Sequence, residues 1–420
     1  MTKKMLHSKI MIFIFLAFIL LFPATINLPD QTQTYSIVLG VGIDKKGDEY
    51  EISTQILTSK ASQGFLESLQ VHSAKGKNML DAVEELSLHL GRISGFGNAS
   101  VIVFCEEVAK EGIAEHLDFF LRSKRLNGNP FIVITKENAK DVLSDVAKID
   151  ESFNYNLNSL AKLNQDFANG TVITLESFLN NFYSGTTASV ISQINQTNKE
   201  DEGILIPDSD TSGSSSGGAM GGASGGGGSS GSGGNKEKKV LSNKGDSSLF
   251  VGSKQVATLD AHIIEGMNTF LPTKRNSYTI KNVNDEFFHN ATVVLSLKNA
   301  IQTRTLKFSK QGKPRVYYDI NYTMKVEQIL QNGNDTILLD GTNNYMTPAL
   351  QQKIIENIRE QSSKSLEVFK DYNADVFGLQ QAFYRHHPKK WAKFLKTIPD
   401  KSMAYQDIEF FLKVQVKGNL

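Results

Sequence analysis

The sequence predicts an α+β protein: a three-domain, extracytoplasmic chain of mixed and antiparallel sheets with packed helices, behind an N-terminal hydrophobic anchor. Three observations carry this expectation. Residues 10–22 are uninterruptedly apolar and follow Lys3, Lys4 and Lys9. Runs of period two and stripes of period 3.6 then succeed one another, the pattern of strands with helices packed on them. Residues 211–235 hold 12 Gly and 8 Ser, which separates the patterned chain into parts.

The apolar run contains Ile10, Phe13, Leu16, Phe18, Leu21 and Phe22, and residues 23–28 extend it more weakly. A positive flank before an apolar core marks an export signal. Counted to Leu28, the run reaches roughly the ~20 residues that cross a bilayer. No small-x-small cleavage site follows, so residues 1–29 read as a signal-anchor helix, with a cleaved signal peptide as the alternative. Positive charge before the run and none after it until Lys45 puts the N-terminus inside. Everything after Asp30 then works outside the cytoplasm.

Residues 30–198 form the first expected domain. Tyr35, Ile37, Leu39, Val41 and Ile43 alternate, residues 45–48 turn, and Tyr50, Ile52, Thr54 and Ile56 alternate again, which is a β-hairpin. Met79, Val83, Leu86 and Leu90 make one helical stripe that Gly91 stops. Residues 99–105 and 131–135 are buried strands. Helices follow each of them, near 106–121 and 138–146, and another covers 175–183. The order ββαβαβα with doubly apolar strands implies a mixed sheet covered by helices.

Residues 199–247 read as a disordered linker, because Gly and Ser cannot bury apolar surface. A small middle domain, 248–285, offers two short strands and a helix capped by Asp260. In the C-terminal domain, 286–420, Val316, Tyr318, Ile320, Tyr322, Met324 and Val326 face one way and polar residues the other, a strand wet on one side. Residues 349–372 form a helix of about six turns with Leu350, Ile354, Ile358 and Phe369 on one face. Ile408, Phe410, Leu412, Val414 and Val416 close the domain as a strand.

The 420 residues carry 45 Lys plus Arg against 44 Asp plus Glu, a balance that argues against a nucleic-acid partner. One cysteine excludes an intrachain disulfide and any Cys-rich metal site. Cys105 ends an apolar strand before Glu106 and Glu107, which oppose a thiolate, so it reads as inert core. His386 and His387 are neighbours and do not face one metal. Gly40 and Gly42 lack the third glycine and the helix of a dinucleotide loop. No spacing singles out a catalytic pair, and no cofactor or metal is expected. Arg385, Lys389, Lys390, Lys393, Lys396 and Lys401 interleave with Trp391, Phe394 and Leu395. That reads as a solvated face with its aromatic residues in the core, a membrane-surface segment being the alternative.

At these residues the chain resembles the C-subunit family of bacterial spore germinant receptors, the Ger(x)C-type spore germination proteins. Asp375-Val-Phe377-Gly378 is similar to the family's D-x-F-G, and His387-Pro388-Lys-Lys-Trp391 to its Y/H-P-x-x-W. Ile37-Val-Leu-Gly40-Val-Gly42-Ile-Asp44 resembles its opening I-V-L-G-x-G-I-D strand. Val101-Ile-Val-Phe104 and Leu117-Asp-Phe-Phe-Leu121 fit between them. The resemblance covers nearly everything from Tyr35 onward except the Gly/Ser tract.

It implies a non-enzymatic ectodomain on the outer face of the inner spore membrane. The implied partners are integral membrane A- and B-type receptor subunits, and the shared task is to sense nutrients and trigger germination. The family also carries a lipid-bearing cysteine at its mature N-terminus, which would fall near Ile26. No cysteine stands there, so a retained apolar helix is expected to do the anchoring. The alternative function is an extracytoplasmic protein that binds the germinant on its own.

Overall fold

The computed structural model describes residues 35–60, 66–122, 126, 128–149, 171–197, 204–205, 240–242, 245–271, 277–284, 287–331, 335–337 and 345–418. The expected anchor residues Ile10, Phe13, Leu16, Phe18, Leu21 and Phe22 lie outside the described residues, as does most of the 199–247 tract. Among the described residues, no helix is long and apolar enough to cross a membrane. The architecture is α+β, and the described residues form two large sheets and two small ones.

β1 (Tyr35–Lys46) and β2 (Glu49–Lys60) make the expected hairpin, turned at Gly47 with φ 66°. β3 (Leu66–Gly76) pairs with β2 and was not legible, because polar residues break its alternation. α1 (Met79–Leu90) starts where the Asn78 side chain accepts the Asp81 N–H at 3.0 Å and stops at left-handed Gly91. β4 (Ile93–Gly95), β5 (Val101–Cys105), α2 (Glu106–Glu111), α3 (Ala114–Arg122), β6 (Phe131–Thr135), α4 (Ala139–Ile149), β7 (Ile173–Thr174) and α5 (Leu175–Ser184) follow. The strands order as β3-β2-β1-β5-β6-β7, with β4 beside the start of β1. The β1–β5 and β5–β6 pairs are parallel and the β1–β2 and β2–β3 pairs antiparallel, so the sheet is mixed. Both of its faces are covered. Ile102, Phe104, Ile132 and Ile134 pack with α1, α2, α3 and α5, whereas Val101, Val103 and Val133 pack with α4.

Two expectations need correcting in this part of the chain. Tyr35 and Ile37 do not share a buried face with Val41 and Ile43; they are 40% and 45% exposed. The pairing steps from Val38↔Ile56 to Gly40↔Gln55, so Leu39 is an extra residue. One inserted residue reverses which side chains point inward, and Val38 faces the core instead. The expected helix at 106–121 is broken at Gly112, whose φ is 130°. There the Ile113 N–H donates to the Ser253 carbonyl at 3.0 Å, so a distant turn occupies the break.

β8 (Ser189–Ser192), β9 (Asn195–Thr197), β10 (Ile204–Leu205), β11 (Val240–Ser242), β12 (Ser247–Val251) and β13 (Lys254–Leu259) build the two small sheets, ordered β13-β12-β8 and β10-β11-β9. β8 and β12 are antiparallel neighbours, so the Gly/Ser tract connects strands whose ends meet. α6 (Ala261–Asn268) begins at the expected cap, where Asp260 accepts the Ile263 N–H at 3.0 Å.

The C-terminal sheet holds β14 (Ser277–Val283), β15 (Ala291–Phe308), β16 (Pro314–Gln331) and β17 (Asp335–Ile337). α7 (Pro348–Asp371) packs Leu350, Ile354, Ile358 and Phe369 into its core, starting at Thr347, whose hydroxyl accepts the Leu350 N–H. α8 (Leu379–His386), α9 (Pro388–Leu395) and β18 (Glu409–Gly418) complete the chain, and β18 lies parallel to β16. The inward row from Val316 to Val326 is buried as expected.

Candidate functional site

Gly40, Gly42 and Asp44 lie along β1 on the side that α4 covers. A Cβ at Gly40 would stand 3.1 Å from Leu143, and one at Gly42 3.0 Å from Leu143 and 3.1 Å from the Ala139 Cβ. The bare backbone therefore lets α4 lie directly on the strand. That approach brings the first turn of α4 to Asp44, whose fully buried carboxylate accepts the Ala139 N–H at 2.6 Å and the Lys140 N–H at 3.0 Å. Burial pushes the Asp44 carboxyl above its ordinary range, against the pull of those two N–H groups. Beside it Glu51 is also buried, but the ammonium of Lys140 at 2.9 Å and the hydroxyl of Ser73 at 2.8 Å outweigh the burial and keep it ionised.

Asp375, Phe377 and Gly378 repeat the device at the other end of the chain. Asp375 is fully buried and accepts the Leu379 N–H at 2.9 Å and the Gln380 N–H at 2.7 Å, the free donors that open α8. Gly378 supplies the left-handed turn between them, φ 62°. Phe377 sets its ring against Phe270, Phe369 and Phe410. Its carbonyl accepts from Arg304 at 3.3 Å, and the Asp375 carbonyl accepts the Ala188 N–H at 3.1 Å, which ties this turn to the start of β8. Burial raises the Asp375 pKa to about 6, although three backbone N–H groups and the charge of Arg304 lower it. Two buried tyrosines share its neighbourhood. Burial pushes Tyr318 up to about 12 and Tyr405 well above its ordinary value, and the charge of Asp375 adds to both.

Pro388 occupies the first turn of α9, and Trp391 stacks on Phe383 with ring centroids 5.5 Å apart and planes at 11°. Trp391 and Phe394 are buried while Lys389, Lys390, Lys393 and Lys396 around them are exposed, so the aromatic residues of this basic segment belong to the core. His387 turns its Nε2 to the Leu306 carbonyl at 3.1 Å and leaves His386 in solvent; the two diverge. Cys105 is buried and its thiol is pushed up by burial, so it stays protonated. Burial likewise lowers the pKa of His116, which keeps the ring neutral between Tyr50 and Phe104. Among the described residues, no three His, Cys, Asp or Glu side chains group as metal ligands.

The structure thus brings Gly40, Gly42 and Asp44 together in one constellation and Asp375, Phe377 and Gly378 in a second, while Pro388 and Trp391 lie on α9, where Trp391 meets α8 through Phe383. Sequence reasoning missed what surrounds them. Arg304 and Tyr405 reach Asp375 from distant segments, and no local spacing points to either. Chemically, each aspartate has both oxygens engaged by backbone N–H groups and so orients a helix, Asp44 one that begins 95 residues later and Asp375 the one that follows it directly.

A domain model described as "Spore germination protein N-terminal domain" matches residues 31–196, and one described as "Spore germination B3/ GerAC like, C-terminal" matches residues 246–418. YfkR of Bacillus subtilis (strain 168), a protein named for spore germination, is 24% identical over 133 residues. That alignment spans 29% of this chain and 35% of YfkR, about a third of the relative's length. The crystal structure of the GerBC protein aligns over 92% of this chain and 98% of its own, at 12% identity and a TM-score of 0.47. The two domain models follow one another over most of the chain, one carrying Asp44 and the other Asp375, and the chain belongs to the Ger(x)C family of spore germination proteins.

Proposed function

We propose that this chain is the membrane-attached, non-enzymatic C-type subunit of a spore germinant receptor. It assembles with integral membrane A- and B-type subunits on the outer face of the inner spore membrane, and the assembly senses nutrients and triggers germination. Residues 10–22 supply the attachment, through Ile10, Phe13, Leu16, Phe18, Leu21 and Phe22. The observation that carries the reading is the order of the two family domains, 31–196 and then 246–418, on either side of the Gly/Ser tract. The chemistry of the buried carboxylates supports it, because both aspartates of the shared motifs cap helices. The test is affinity capture from spore membranes with the tagged full chain as bait. Recovery of two multi-span membrane proteins is expected, and recovery of none would overturn the assembly.

A further inference from the structure

A cleft of about 590 Å³ opens between the β15–β16 turn and α9. Four lysines line it, Lys310 and Lys313 from the turn and Lys390 and Lys393 from the helix, over an apolar floor that includes Phe394 and Ile398. Among the described residues its one acidic lining residue is Asp407. Some exposed lysines elsewhere are matched by carboxylates, Lys110 by Glu106, Lys298 by Glu327, Lys364 by Glu360 and Lys413 by Asp319, while Lys75 and Lys77 stand without one among the described residues. None of the four cleft lysines is ion-paired within 4.0 Å among the described residues. Like charges converge here without their counterions, which costs free energy unless an anion enters.

Both walls are held in place. Ser309 donates its N–H to the Lys313 carbonyl at 2.8 Å, and its hydroxyl accepts the Lys313 N–H at 3.0 Å. The helix wall is fixed to β15 at its start by His387, which meets the Leu306 carbonyl and the Phe308 ring, and to α8 by Trp391 on Phe383. The volume lies in the range of small-molecule sites, about 300–1,000 Å³, which combine apolar walls with a few convergent polar groups. Ammonium groups are compact point charges with three donors that bind phosphate through charge, and four of them together attract a dianionic phosphate monoester more strongly than a monoanionic carboxylate.

We propose that this cleft binds an amphiphilic phosphate, its phosphate held by Lys310, Lys313, Lys390 and Lys393 and its apolar body laid on Phe394 and Ile398. A free organic phosphate and the headgroup of an anionic phospholipid share this chemistry. The site does not depend on the receptor assembly proposed above, and its test needs no partner subunit.

The test is lysine acetylation read by mass spectrometry, on the full chain in a nonionic detergent. The probes are phenyl phosphate, inorganic phosphate, benzoate, phenol and dihexanoylphosphatidylglycerol. Protection follows 1 + [L]/Kd, so at three times Kd the four cleft lysines are acetylated about fourfold more slowly. Exposed Lys75 and Lys77 should keep their rates. Protection by phenyl phosphate beyond inorganic phosphate, benzoate or phenol supports a free ligand; stronger protection by the short-chain lipid supports a headgroup. The double variant K390E/K393E changes only exposed side chains and should abolish protection of Lys310 and Lys313 on the opposite wall. A matched K75E/K77E variant should not. The proposal is overturned by no protection, by equal protection of Lys75 and Lys77, by benzoate matching phenyl phosphate, or by K75E/K77E acting like K390E/K393E.

Discussion

Asp375 is fully buried with its two oxygens on the N–H groups of Leu379 and Gln380, and two opposing forces act on its charge. The N–H groups favour the carboxylate and the loss of water disfavours it; the balance lies at about 6, above the ordinary 3.8. A carboxyl whose folded pKa is raised adds stability that is complete below its unfolded pKa and is lost as pH rises through the folded one. Acidification from pH 7 to 4.5 should therefore strengthen the contribution of this residue by roughly 2 kcal/mol. Asp375→Asn removes the titration and turns an amide donor toward one backbone N–H, which costs about 1–3 kcal/mol. Urea unfolding of both proteins at pH 7 and 4.5 checks the sign: the loss caused by the variant should be larger at pH 4.5. An equal loss at both pH values would mean that Asp375 does not titrate in this window. The motif residues were legible as residues, since glycine and aspartate at fixed spacing stand out. Their physical role was not, because Asp44 caps a helix that begins 95 residues later.

Between elements, close approach decides which substitutions the fold accepts. α6 crosses α7 so closely that a Cβ at Gly266 would lie 2.2 Å from the Gln361 carbonyl oxygen and 2.2 Å from the Ser365 hydroxyl. The same hydroxyl donates to the Ile263 carbonyl at 2.7 Å, so the contact is bonded as well as tight. Gly266→Ala should cost on the order of 3 kcal/mol, because backbone must move. Gly252 makes a useful contrast: its φ is 64° and nothing lies within 4 Å of its absent Cβ. Gly252→Ala should cost only about 1 kcal/mol, the strain of a left-handed alanine. Thermal unfolding of the two variants ranks them, and a Gly266→Ala protein as stable as the parent would refute the close crossing. Nothing in a helical stripe announces such a crossing. Elements with a clean period were legible, as with α1, β16 and α7. β15 was not, because from Asn299 to Thr305 its residues are exposed or half-exposed on both faces and the alternation disappears.

Across the whole molecule, the small β13-β12-β8 sheet stands between the two large cores. Val190 and Leu249 belong to the C-terminal core, and their neighbours Ile191 and Phe250 belong to the N-terminal one. Successive residues of a strand point to opposite faces, so this sheet contributes to both cores at once. Its strands come from either side of the Gly/Ser tract, and β10 and β11 pair at the ends of that tract. The composition of the tract was plain in the sequence, whereas the pairing of its ends was not, because register between distant strands leaves no local trace. A tether between independent bodies and a loop that returns to one sheet behave differently when cut. Replacing residues 225–228 with a protease recognition site and cleaving there should leave the two fragments together on gel filtration, since β8 remains paired with β12 along Ser189–Ser192. They should separate only in denaturant, in one step with the loss of β-sheet circular dichroism. Two peaks under native conditions would show that the shared sheet does not hold the halves. Excising residues 213–234 should raise the unfolding free energy by no more than about 1 kcal/mol, because loop closure depends only logarithmically on length. A loss would mean that the tract itself makes contacts that stabilise the fold.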